Sequence, residues 1–233
     1  MDGTISESKQ TYKCKYCGKE FKRESSFAVH MCEPKKRWQD KDTPASRIAF
    51  KNFINFYEMT QGSAKTKTFE DFVTSAYYKA FFKFGVYCVN ARVINAERFA
   101  EWLLKQNKRI DYWGSDKLYE EWLKDYIFRE PGGDAMTRAL ETGIAYAMET
   151  NTPQEDFLRY GNANKICHLI TTGRVTGWTI FCCDSGHEFL QSLNEEQVQI
   201  IYDFINPDRW QQILRDYPGD TEYNKEMLSK AGW

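Results

Sequence analysis

Nowhere in the 233 residues does an uninterrupted apolar run approach the ~20 residues that a membrane-spanning helix needs, and Met1 to Gln10 is polar, unlike a secretory signal peptide. These two absences predict a soluble, cytoplasmic protein with no membrane partner. An excess of either charge is also missing. The 32 Lys and Arg against 33 Asp and Glu leave a net −1, which excludes a wholly basic nucleic-acid packager and makes any electrostatic steering local. No glycine-rich phosphate loop, dinucleotide fingerprint or Gly-x-Ser-x-Gly elbow occurs, nor any internal repeat or low-complexity tract. Seven cysteines, an odd number with three of them between residues 14 and 32, make a poor disulfide framework. They suit a reducing compartment in which thiols bind metal or lie buried.

What is present is uneven along the chain. From Lys9 to Arg37 nine basic residues stand against three acidic ones, a net of +6, while residues 38–233 sum to −5. Residues 1–11 are polar, 12–33 carry cysteine and histidine, and 34–45 read as a charged linker from Pro34 through Lys35-Lys36-Arg37 to Asp42. The expected organisation is a first domain over 1–33, a basic linker over 34–45 and a helical domain over 46–233.

Helical periodicity with start signals recurs after the linker. Phe50, Phe53, Ile54 and Tyr57 share one face, and Phe69, Phe72, Val73, Ala76 and Ala80 repeat the pattern behind Thr68 as N-cap. Phe99, Trp102 and Leu103 follow Asn95; Leu118, Trp122 and Leu123 follow Ser115; Pro131-Gly132-Gly133 closes that segment before Asp134 caps the next. Thr152 to Glu155, Asn194 to Gln197, and Ser185 with Glu188 read as reciprocal caps. Val198, Ile201, Tyr202 and Ile205 are expected to form a buried stripe, ended by Asn206-Pro207. Ile166 to Cys183 is the exception: β-branched residues broken by glycine suit a loop or a short strand pair.

The richest segment is Tyr12 to Cys32. Cys14 and Cys17 flank two residues, Gly18 supplies a turn, Phe21 and Phe27 are apolar, and twelve residues separate Cys17 from His30. This segment resembles the two-cysteine, two-histidine (C2H2) zinc-finger family over its whole ββα unit. The resemblance implies that Cys14, Cys17 and His30 bind zinc (Zn2+) and that Phe21 and Phe27 fill the small core. Where the family places a second histidine, this chain offers Cys32 with only Met31 intervening. Residues two apart on a helix point to nearly opposite sides, so the helix must end or unwind at His30, and Glu33-Pro34 disfavours its continuation. A Cys14, Cys17, His30, Cys32 site follows; a three-ligand site completed by water or a distant residue is the alternative. A unit this short cannot offset its chain entropy by burial, so the metal must supply the missing stability. The fold class expected is mainly α: a small ββα finger, then a multi-helix domain with an irregular or β segment near 170–183.

By the family pattern the base-reading positions fall on Arg23, Ser26 and Val29. Arg23 suits guanine and Ser26 a base or phosphate, but Val29 offers only apolar contact. A lone finger gives little specific affinity, so Lys13, Lys15, Lys22, Lys35, Lys36 and Arg37 would add phosphate contacts. The expected partner is nucleic acid, DNA ahead of RNA. A finger that docks protein within a viral assembly or transcription complex is the bland rival, with the helical domain as a further partner surface.

Other chemistry is thinner. Cys167, His168, Cys182, Cys183, Asp184 and His187 match no ligand spacing and read as buried thiols and a capping turn rather than a second metal or a nucleophile. Glu70-Asp71, Glu120-Glu121, Glu155-Asp156 and Glu195-Glu196 are candidates for magnesium in a nuclease, or acids that favour helix starts. No catalytic residue is assigned. Arg174 to Trp178 is the one aromatic segment suited to a surface patch. Residues 166–208, through Thr172-Gly173-Arg174-Val175, Asp184-Ser185-Gly186 and Leu193 to Gln197, are similar to uncharacterised proteins of large tailed bacteriophages, which implies a viral setting in a host cytoplasm.

Overall fold

The computed structural model describes residues 11–62 and 66–233; the polar residues 1–10 lie outside them. The chain is mainly helical, with one two-stranded antiparallel sheet among the described residues, and it divides into two compact units, Met1–Gly114 and Ser115–Trp233. Among the described residues no helix is long and apolar enough to cross a membrane.

The first unit begins with strands β1 (Tyr12–Lys13) and β2 (Glu20–Phe21), paired Tyr12 to Phe21 and Lys13 to Glu20. Helices α1 (Glu24–Ala28), α2 (Glu33–Gln39), α3 (Pro44–Gln61), α4 (Phe69–Thr74), α5 (Tyr78–Asn90) and α6 (Ala96–Lys105) follow. The 34–45 segment, read as a linker, is thus helical from Glu33 to Gln39 and forms a 3-10 turn over Asp40–Asp42. Thr43 then caps α3 by accepting from the Ser46 N–H. Helix α3 packs along α5, and Phe53, Phe72, Phe81, Phe84, Phe99 and Trp113 are each essentially sealed from solvent. Phe81 and Phe84 stand near perpendicular to Trp113 at 5.9 and 5.2 Å, an edge-to-face arrangement that satisfies the aromatic quadrupoles.

The periodic run 69–80 is two helices, not one. Thr68 and Asp71 form the expected capping box. At Ser75, however, ψ is 141° and the hydroxyl accepts from the Tyr77 N–H, so a local side-chain bond replaces the helical one and Ala76 is left exposed.

The second unit comprises α7 (Asp116–Tyr126), α8 (Gly132–Thr150), α9 (Phe157–Tyr160), α10 (Ala163–Thr171), α11 (Gly177–Ile180), α12 (Asp184–Ser192), α13 (Glu195–Ile201), α14 (Pro207–Asp216) and α15 (Pro218–Lys230). Helix α8 packs on α11 and α15, while α10 packs on α13. Trp178 and Trp210 are buried at its centre, their rings 5.7 Å apart, and each indole N–H finds a carbonyl, Glu130 O at 3.3 Å and Phe204 O at 2.9 Å. Gly177 permits this contact, because a Cβ there would lie 2.1 Å from the Trp210 ring. The Glu130 carboxylate, 2% exposed, is gripped by both terminal nitrogens of Arg138 at 2.5 Å, and Arg138 Nε donates to Gly173 O at 2.8 Å.

Several sequence expectations change here. The 166–183 segment contains no strand: α10 continues to Thr171, a turn with Gly173 at φ 75° follows, and α11 is a single helical turn. Val175 and Trp178 are buried, so this is no surface patch. Asn194 and Gln197 do form a capping box, and α13 ends at Ile201. Ile201 and Ile205 turn inward, whereas Val198 and Tyr202 are 42% and 52% exposed. Ser185 is buried against Cys183 and Glu188 pairs with Arg159, so the proposed Ser185 cap is absent. Asp134 lies inside the first turn of α8, which starts at Gly132.

The near-neutral total conceals a division of charge between the units. Lys and Arg outnumber Asp and Glu by eight over residues 1–114, and the acids lead by nine over residues 115–233.

Candidate metal centre

Four donor atoms of the β1–β2–α1 unit converge. One ligand atom each from Cys14, Cys17, His30 and Cys32 lies within 4.8 Å of all the others, close enough to hold a metal ion. A tetrahedral zinc, about 2.3 Å from each sulfur and about 2.0–2.1 Å from nitrogen, implies sulfur–sulfur edges of about 3.8 Å and sulfur–nitrogen edges of about 3.5 Å. The Cys14–Cys32 sulfurs are 3.9 Å apart, and Cys17 Sγ is 3.3 Å from His30 Nε2. These two edges match a tetrahedral ion, the remaining ones lie within 4.8 Å, and none of the cysteines is in a disulfide.

Local sequence explains the convergence. Cys14 and Cys17 sit on a tight knuckle closed by Gly18 N–H to Cys14 O at 2.8 Å and Cys14 N–H to Lys19 O at 2.9 Å. Gly18 takes φ 71°, which costs a residue without Cβ little. Helix α1 stops at Ala28, and the His30 N–H bonds back to Phe27 O, so His30 lies just beyond the helix. Cys32 is the N-cap residue of α2, extended at φ −98° and ψ 160°, with Pro34 in the first turn. Proline thus separates the two helices by starting the second one, and the two-residue spacing from His30 to Cys32 reaches one point in space. Phe21 is 6.0 Å from Phe27 and 4.6 Å from the His30 ring, and Tyr12 stacks on Phe27 at 5.9 Å.

The thiols are not equivalent. Burial works to raise the Cys14 pKa, but N–H groups of Cys17 and Tyr16 and the thiols of Cys17 and Cys32 bond to its sulfur and bring it below the ordinary value. Cys17 receives the Lys19 N–H, which lowers its pKa, yet burial and the neighbouring Cys14 and Cys32 sulfurs leave it raised. Of these two sulfurs Cys14 is the better prepared to meet a cation as thiolate.

The basic residues singled out in the sequence have different surroundings. Lys22, Arg23, Ser26 and Lys36 are exposed, with Arg23 at the N-cap of α1. Lys13 pairs loosely with Glu20 at 3.5 Å, Lys15 lies over the Tyr16 ring, and Lys35 donates to His30 O at 3.1 Å. Arg37 is drawn inward: it donates to Val73 O and covers the Tyr78 ring at 4.3 Å, with only 16% of its side chain exposed. No sequence spacing points to Trp38, whose ring is 6.3 Å from Tyr16 of the knuckle and 5.1 Å from Phe69 of α4.

Among the described residues no other group of three Cys, His, Asp or Glu gathers at ligand distance. Asp71 serves a helix cap, Glu120 pairs with Lys124, and Glu195-Glu196 open α13. Burial pushes the Cys182 thiol up to about 12 and raises Cys183, opposite to what a thiolate nucleophile needs. Comparison of the chain with protein-family models, curated proteins and solved structures gives no match.

Proposed function

We propose that Cys14, Cys17, His30 and Cys32 hold one structural zinc ion and that the ion-stabilised finger contacts nucleic acid. The observation that carries the first half is the convergence of one nitrogen and three sulfur donors within 4.8 Å, a closed four-ligand set with no position left for substrate. The second half is supported by charge. The eight-charge basic excess of residues 1–114 includes the exposed Lys15, Lys22, Arg23 and Lys36 around the metal ligands. Polyanion binding needs such a footprint and is weakened by salt.

Metal analysis of the purified chain should return one zinc per molecule. Filter binding should detect nucleic acid at low salt, with affinity falling as salt rises; no binding to any nucleic acid at low salt would overturn the reading. With the tailed-phage resemblance of residues 166–208, the reading extends to an accessory protein acting in a host cytoplasm. A protein-docking finger is favoured by Val29 and Met31, 82% and 47% exposed on either side of His30. Pull-down that needs zinc and survives high salt in the absence of nucleic acid would identify that alternative.

A further inference from the structure

Three of the finger's lysines share one small cavity. Lys13, Lys15 and Lys35 line a pocket of about 180 Å³ together with Tyr16 and Phe27. It touches two of the metal ligands, Cys14 and His30, but neither Cys17 nor Cys32, so it opens beside the metal rather than between the four donors. No carboxylate lines it, and the nearby Glu20 meets Lys13 only in an exposed pair that stabilises little. A cavity of about 150 Å³ accepts a single benzene ring, so the space matches one planar aromatic group.

The Tyr16 ring is a supported platform. Trp38 packs against it at 6.3 Å and is itself held edge-on by Phe69 at 5.1 Å, while Lys15 Nζ lies 5.0 Å from the ring centroid. Aromatic platforms beside cations bind unpaired bases, the ring stacking on the base and the ammonium groups meeting the flanking phosphates, so Lys15 would leave the Tyr16 face for a phosphate as the base stacks. The alternative surface, α1, is five residues, a rise of about 7.5 Å, and is followed by the apolar, exposed Val29. It has little length or polar reach for reading a duplex groove.

We infer that the Lys13, Lys15, Lys35 and Tyr16 pocket seats one base of a single-stranded nucleic acid. This rests on the nucleic-acid reading above and specifies its substrate class. A base enters the pocket only when unpaired and unstacked, so the inference separates single strand from duplex.

The test uses the full, zinc-loaded chain with a short DNA single strand, the same sequence as RNA, and the corresponding duplex. Both single strands should bind at least tenfold more tightly than duplex, or one of them should, which identifies the sugar. Tyr16→Leu should weaken single-strand binding by about five- to 140-fold while zinc stays at one per chain, and Tyr16→Phe should bind as the parent does. Arg23→Ala should change little. Irradiation of a strand carrying 5-iodouracil should place the cross-link on Tyr16, a readout that holds even if Tyr16→Leu lost its metal. Duplex bound as tightly as single strand, unaltered binding by a zinc-loaded Tyr16→Leu chain, or cross-links only outside the pocket would overturn the inference and leave the broader nucleic-acid reading standing. Absence of binding to all three nucleic acids would instead overturn that broader reading.

Discussion

Arg37 of α2 donates from its terminal nitrogen to the main-chain carbonyl of Val73 in α4, 2.6 Å away, and its guanidinium covers the Tyr78 ring. A charged donor on a carbonyl near the end of a helix satisfies an acceptor that the helix itself leaves open. Arg37→Ala should therefore lower stability by about 1.5–3 kcal/mol, the range for hydrogen bonds to charged groups. It should leave zinc content unchanged, and nucleic-acid affinity should alter less than for Lys15→Ala. Denaturant unfolding and metal analysis of the two variants check this.

The fourth ligand is tested by substitution at Cys32. If the ion is held by three sulfurs and one nitrogen, Cys32→Ala should weaken zinc binding as strongly as Cys14→Ala, and a chelator should abolish structure in residues 12–33 of the parent. A water-completed site would instead leave Cys32→Ala with near-parental affinity. Competition with a metal indicator, together with amide spectra of the 12–33 segment, distinguishes the two.

In the second unit the consequential electrostatic contact is the buried Glu130–Arg138 pair. Removing one partner strands the other charge away from water, and Arg138→Leu should cost about 3–5 kcal/mol. Arg138→Leu combined with Glu130→Leu should recover part of that loss, since two apolar side chains leave no uncompensated charge. A denaturation series over the two single variants and the double variant measures the recovery.

Alkali should destabilise the chain through its interior thiols. Burial raises Cys88, and likewise Cys182, from 9.0 to about 12. The unfolded chain therefore releases these protons first as pH rises, so their contribution is intact below pH 9 and is lost progressively toward pH 12. Each thiol should remove up to about 1.4 kcal/mol per pH unit within that window. Unfolding under reducing conditions at pH 8 and pH 10.5 should show the decline, with a shallower one in Cys88→Ala.

The convergence of Cys14, Cys17, His30 and Cys32 was legible in the sequence because coordination would fix their spacing to within a residue and two core aromatics had to agree with it. Caps at Thr68, Asn95 and Asn194 were legible for a similar reason: each is a short-range hydrogen bond whose donor lies three residues ahead. Exposure of Val198 and Tyr202 was not, because periodicity marks an apolar face but not how much of that face a neighbouring element covers, and here only Ile201 and Ile205 are buried. Nor was the inward turn of Arg37, which depends on Val73 and Tyr78, 36 and 41 positions further along. The opposite charges of the two units escaped notice because the boundary at Gly114–Ser115 carries no run of proline or charge to mark it.

Cys32 is at once a donor to the ion site and the residue from which α2 starts, and α2 carries Arg37 and Trp38 onto α4. Removal of an ion held by that cluster would thus free the anchored end of a lever whose other contacts are Phe69 and Val73. If an ion is held there as proposed, its occupancy and the melting of the first helices should be thermodynamically linked, so that a chelator lowers the melting temperature of this unit.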